Sequence, residues 1–241
     1  MSPGVSAVHG EAGLGQGREE MELEAAVRGR RSIRKFKTAP VPKGVLEEIL
    51  EAARWSPSWG NTQAWEFTVL TGESLEAFRK TNFEKLMAGE PFGTDVPIPE
   101  IWPDHMKKRY GELGKIILDV QGVRRDDKEG RKRFYNDMAR FYDAPCLLVV
   151  CIPADTRVEY ALLDIGLITQ TICLLAHGKG LGTCIMAAAV GYPDVLRRVA
   201  AIPDDRKIVL SIAVGYPEAS DPMNTFQRPR ATLAEFVRWV E

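Results

Sequence analysis

Residues 158–180, VEYALLDIGLITQTICLLAHGKG, constrain the chain more than any other stretch. As a helix this run is apolar nearly all the way round, so it must be covered on most of its sides. Asp164, Gln170 and His177 interrupt it and argue against a membrane span. What remains is a central core helix or a helix shared by two subunits. Either solution needs apolar partners. APCLLVVCIP (144–153) and KIVLSIAVGYP (207–217) supply them as buried strands closed by proline. WEFTVLTG (65–72) alternates like a further strand, and GLGTCIMAAAVG (180–191) reads as turn, short strand, turn.

Helical patterns fill the rest. MELEAAVRGR (21–30) ends near Gly29. VPKGVLEEILEAARW (41–55) carries proline in its first turn and Val45, Leu46, Ile49, Leu50 and Ala53 on one face. Residues 74–89 and 192–203 are helical, and a short helix closes the chain after the arginine-bearing stretch 225–230. Residues 91–104 hold four prolines and must be irregular. The charged helices 107–122 and 128–142 follow, so 90–143 reads as an excursion over a simpler core. Strands and helices interleave without repeats, which makes the class α/β or α+β.

A chain of 241 residues suits one domain with such an excursion. Lys+Arg (32) balance Asp+Glu (33), so the run Arg28, Arg30, Arg31, Arg34, Lys35, Lys37 is a local feature and not the footprint of a nucleic-acid binder. Cys146, Cys151, Cys173 and Cys184 form no C-x-x-C pair and lie in apolar runs, which reads as buried thiols in a reducing cytoplasm. His9, His105 and His177 are far apart, and no metal site is expected. Residues 1–20 are rich in small residues, lack an apolar signal core and should be disordered, with Met21 a possible true start.

Four stretches have both a binding and a bland reading. RRSIRKF (30–36) is a phosphate grip of guanidinium forks and a serine hydroxyl, or a solvated basic turn. SPSWGNTQAW (56–65) presents Asn61 and Trp59 to a planar heterocycle, or simply connects helix to strand. GLGTCIMAAA (180–189) lets backbone approach a ligand, or packs a strand tightly. Its glycines precede a strand, so it is no Rossmann fingerprint. QRPR (227–230) is a second phosphate clamp, or an exposed tail. No G-x-S-x-G, H-E-x-x-H or Walker lysine is present, so a cofactor must carry any chemistry.

In this order R-R-S-I-R-x-F, S-P-S-x-x-N-x-Q-x-W, G-L-G-T-C, V-G-Y-P and R-x-R before a final helix, the chain resembles the FMN-dependent nitroreductase family across residues 21–240. The resemblance implies an α+β, three-layer α-β-α sandwich with a mostly antiparallel central sheet. It also implies an intertwined homodimer with FMN at the subunit interface, one domain over 21–241. Arg30, Ser32 and Arg34, with Arg31 adjacent, match the phosphate and ribityl contacts. Pro57, Ser58 and Asn61, then Gln63, match a loop beside the flavin ring that the partner subunit usually gives. Met186, Ala187 and Ala188 match the backbone facing flavin N5, and Arg228 and Arg230 match a C-terminal phosphate clamp. Ala64 stands where members often have proline, and Ala188-Ala189 where some have Glu-Gly. In the family the excursion shapes substrate choice, which makes Trp59, Trp102, His105, Tyr110 and Phe134 candidate pocket residues or ordinary packing.

The implied activity is ping-pong transfer of electrons from NADH or NADPH through FMN to a nitroaromatic, quinone or similar small molecule, with no catalytic side chain of its own. Specialised flavin chemistry on the same fold (dehalogenation, flavin breakdown, dehydrogenation) and non-catalytic FMN binding are the alternatives.

Overall fold

Residues 21–241 are described by a computed structural model, and the expected disorder of 1–20 lies outside the described residues. The architecture follows from strand β2, Cys146–Pro153, which is buried on both faces. Side chains alternate along a strand, so its apolar run feeds two cores. Leu147, Val149 and Cys151 join one, and Cys146, Leu148, Val150 and Ile152 join the other. β1 (Glu66–Thr71) pairs with one edge of β2, and β4 (Arg206–Gly215) with the other. β3 (Gly182–Met186) lies outside β4, giving the order β1-β2-β4-β3 with every pairing antiparallel.

Helices cover both faces. Helix α1 is Leu23–Gly29, and α2 (Lys43–Ala53) sends Leu46, Ile49 and Ala53 into the second core. Helix α3 (Gly72–Met87) buries Leu75 and Phe78 in the first. The excursion holds α4 (Asp104–Val120) and α5 (Lys128–Ala139). Its irregular lead-in is stapled to the body. The Tyr192 hydroxyl donates to Glu90 O (2.8 Å), Gly93 N to Gly191 O (2.9 Å), and Ile208 N to Asp95 (2.8 Å). Helix α6 is Val158–Gly178, α7 is Pro193–Ala200 and α8 is the single turn Pro222–Thr225. The result is the expected three-layer α+β arrangement.

Two expectations need correction. The 158–180 helix is not covered on most sides within one chain. Ile165, Ile168 and Ile172, each contributing about 1.5–3 kcal/mol by burial, face the sheet. Tyr160, Leu163 and Leu167 on the opposite side are 50%, 65% and 46% exposed. The closing helix is only a three-residue 3-10 turn, Leu233–Glu235. Thr232 and Glu235 form a capping box there, but Phe236, Trp239 and Val240 stay exposed with no core to hold an amphipathic face. The four cysteines are free and buried, as their apolar settings required.

Candidate cofactor site

The arginine-rich segment leaves α1 and runs extended beside β3. Ile33 N donates to Thr183 O (2.8 Å), and Lys37 N to Tyr216 O (2.8 Å). Two glycines permit this close course. A Cβ on Gly182 would meet Ile33 at 2.5 Å, and one on Gly29 would meet His177 Nε2 at 2.6 Å. Gly180 turns the chain into β3 with a φ of +74°. The G-L-G pattern therefore has the tight-packing role set beside its ligand reading above.

One residue without a sequence signal organises the segment. Asn224 is 5% exposed, and its Oδ1 accepts from Arg34 N (2.8 Å) and Lys35 N (3.2 Å). Its Nδ2 donates to Lys35 O (2.7 Å) and Glu218 O (2.9 Å). The only local cue in the sequence is Asp221–Pro222, a helix start whose carboxylate accepts from Met223 N (2.8 Å). Nothing in that cue points toward residues 34–35.

Arg31 donates to the carbonyls of Asn224 (3.0 Å) and Phe226 (3.2 Å), drawing the C-terminal stretch over the arginines. Arg228 then donates back to Arg28 O (2.9 Å) and Arg30 O. A cavity of about 180 Å³ opens here, lined by Arg30, Arg31, His177, Thr183 and Asn224 among others. Arg30, Arg31, Arg228 and Arg230 form no ion pair with a carboxylate among the described residues, and the buried Nε of Arg30 has no hydrogen-bond partner. The repulsion is felt. Burial first, then Arg31, Arg230 and Arg30, lower the Arg228 guanidinium to about 10. Burial and then Arg30, Arg31 and Arg228 likewise lower His177. Unpaired guanidinium groups with an orphaned donor fit a phosphate dianion, which would satisfy the donor and relieve the repulsion.

Alternation along the segment gives Ser32 and Arg34 a second environment. The Arg34 guanidinium donates to Ser32 O (3.4 Å) and acts electrostatically on the Tyr142 phenol, and both Ser32 and Arg34 interact with the buried Cys184 thiol, which burial pushes up. Tyr142 is held within Phe141–Asp143, three successive residues with φ of 53–59°. β3 ends beside this group. The buried Ser211 hydroxyl donates to Met186 O (3.2 Å). Ala187 and Ala188 are the N-cap and first residue of a 3-10 turn, where N–H groups have no partner inside the helix.

The 56–63 loop is elsewhere. Trp59 N donates to the buried Asp164 of α6 (2.9 Å), and the Trp59 ring lies 5.0 Å from that of Tyr160. Gln63 N donates to Ser58 Oγ (3.0 Å), and the Gln63 amide to Asn61 Oδ1 (3.2 Å). Asp164 and His177 sit near opposite ends of one helix, about 20 Å apart at helical rise. Pro57, Ser58, Asn61 and Gln63 are thus not brought to the arginines of their own chain. The excursion residues divide too. Trp102 stacks on Tyr110 at 6.3 Å, and His105 and Tyr110 share a cleft with Arg230. Phe134 lies on α5 against Tyr135.

Comparisons with known proteins identify the family and the fold. The family model described as the nitroreductase family matches residues 27–216. A chloronitrobenzene nitroreductase of Comamonas testosteroni is 33% identical over 90% of this chain and 96% of its own length. The FMN- and NADPH-dependent nitroreductase NfnB from Sphigopyxis sp. strain HMH superposes with a TM-score of 0.87 at 28% identity, covering 92% of this chain and all of that one. The FMN-dependent NfnB of Mycobacterium smegmatis, solved with NADPH, gives 0.84 at 26% identity, with 90% and 97% covered. The chain belongs to the nitroreductase family.

Proposed function

We propose that the protein is an FMN-dependent oxidoreductase that passes electrons from NAD(P)H to a nitroaromatic, quinone or similar acceptor. The observation that carries this reading is the cluster of Arg30, Arg31 and Arg228, left without a carboxylate and with a buried donor unmet. In a nitroreductase fold that cluster fits the 5′-phosphate of FMN. When bound, the flavin supplies the chemistry, taking a hydride equivalent from NAD(P)H and giving two electrons to the acceptor in ping-pong order.

The protein's part is binding and orientation. Arg30, Arg31 and Arg228 hold the phosphate, and Arg230 stands at its edge. Ser32 and Arg34 line the next stretch, near Tyr142. The N–H groups of Ala187 and Ala188 offer donors where Ser211 fixes the Met186 carbonyl. The Pro57–Gln63 loop serves the flavin of a second copy, a reading supported by its lying away from the arginines of its own chain. Tyr160, Leu163 and Leu167 give that copy an apolar face to cover, and the four free thiols suit a reducing cytoplasm.

A visible spectrum of the purified protein tests the reading, repeated anaerobically after NADH or NADPH and again after a nitroaromatic. A flavin spectrum that bleaches and returns supports it. A colourless protein that takes up no supplied FMN overturns it. Light scattering tests the dimer, and a flavin-loaded monomer would refute the shared site.

A further inference from the structure

Between α4 and the C-terminal arm lies a cleft of about 510 Å³, within the range of sites for small ligands. It is contiguous with the arginine cluster, since Arg230 lines the cleft and also acts electrostatically on Arg228. One turn of α4 supplies the opposite wall. His105, Lys108 and Arg109 share a helix face by their spacing, and all line the cleft. Tyr110 stands beside them, 70% exposed and stacked at its other neighbour, Trp102.

The charges of the cleft are unevenly committed. Arg109 is tied to Glu235 at 2.9 Å, and Glu235 also accepts from Thr232 N and Oγ1. That carboxylate is thus engaged by three donors. Lys108 has only Glu112 at 4.0 Å, with both side chains largely in solvent. The Arg230 guanidinium donates to Pro229 O and to no carboxylate among the described residues. The cleft therefore offers an aromatic surface and two loosely held cations, Lys108 on the α4 wall and Arg230 on the arm, with Glu112 the one lining acid that no close donor engages. Two loosely held cations flanking an aromatic surface suit a phosphorylated adenosine.

We propose that this cleft receives the adenosine 2′-phosphate end of NADPH, with Lys108 and Arg230 on the phosphate and Tyr110 against the adenine, and so makes the enzyme prefer NADPH to NADH. The inference rests on the oxidoreductase reading above. Its specificity element lies on the excursion, away from the residues assigned to FMN, apart from Arg230 at the boundary.

The test uses FMN-loaded protein, so that the arginine cluster is occupied, and titrates adenosine 2′,5′-bisphosphate and AMP by calorimetry. The bisphosphate should bind at least about tenfold more tightly than AMP, as expected for a charge-assisted phosphate contact. Lys108→Glu should erase that ratio, and with it the NADPH-over-NADH ratio of kcat/KM, while flavin content and NADH turnover stay unchanged. Tyr110→Ala should weaken both nucleotides by a similar factor. Equal affinity for the two nucleotides in the wild-type protein, or a ratio unmoved by Lys108→Glu, overturns the proposal. A protein that holds no flavin and oxidises neither donor would instead refute the oxidoreductase reading. The titration on that flavin-free protein still decides the cleft by the Lys108→Glu comparison.

Discussion

Around Asn224 the chain closes on itself. One buried amide satisfies four backbone groups, Arg31 and Arg228 bind carbonyls across the chain, and the cations are fixed before any ligand arrives. The 56–63 loop is the opposite. Trp59 is 67% exposed, Gly60, Asn61 and Gln63 all have positive φ, and its polar side chains bond mainly one another. Both regions are assigned to one cofactor. Under the proposed function, the difference teaches that a single chain pre-assembles the phosphate end of the site, where repulsion among arginines must be held in check by the fold. On the same proposal, the ring end is completed by association.

The largest effect should come from cutting the self-closure. Asn224→Ala strands the N–H groups of Arg34 and Lys35 and the carbonyls of Lys35 and Glu218. At about 1–3 kcal/mol for each buried group left unpaired, and with water repairing some, the loss should be about 3 kcal/mol. Denaturant unfolding reads it, and flavin content should fall in parallel. A change below about 1 kcal/mol would show that the segment is held by the sheet alone.

Next comes the cation that closes the cluster. Arg228→Ala should raise the dissociation constant for FMN roughly 10- to 100-fold, the range of a charge-assisted hydrogen bond. Arg230→Ala should do much less, because its side chain lies toward the α4 cleft. Fluorescence titration of FMN separates the two, and equal losses would restore both arginines to one clamp.

The loop should respond differently. Asn61→Ala should leave stability unchanged and weaken FMN roughly tenfold or less, as for one lost neutral hydrogen bond. Leu163→Lys, which charges the exposed face of α6, should split the proposed dimer and cost flavin affinity as well. If the loop acts across subunits, the two changes together should cost no more than Leu163→Lys alone. Additive losses would place the loop on its own chain's flavin.

Much of this was legible from residue order. The buried strands follow from apolar runs, which record burial directly, while the three-layer arrangement came from the family resemblance and the exposed face of α6 was not read at all. The arginines were visible because unbalanced charge stands out in a neutral chain. Asn224 was not, since its partners are nearly 190 positions away and an asparagine in a turn has many uses. Gly182 gave a signal with two meanings, and only the approach of Ile33 shows its packing role. The closing helix was misread because a short segment needs an apolar face to pack against, and Phe236, Trp239 and Val240 find none among the described residues.

The smallest effect concerns His177, which joins the cluster to α6. Burial, and then Arg30, Arg31 and Arg228, lower it from the ordinary value of 6.5. Near and below pH 6.5 the unfolded chain therefore binds a proton that the folded flavin-free protein resists. Folding stability is complete above that value and declines as pH falls through it, levelling once the folded histidine is protonated too. A phosphate dianion beside the arginines acts in the other direction, since negative charge favours the imidazolium. The acid slope should then shrink when FMN is bound, and should vanish in flavin-free His177→Gln. Melting temperatures at about pH 8 and about pH 5.5, with and without FMN, measure all three. An acid slope that is the same with and without FMN would mean that no phosphate sits near His177. It would leave the arginines serving only to bind the C-terminal arm, as Arg31 and Arg228 already do through carbonyl contacts.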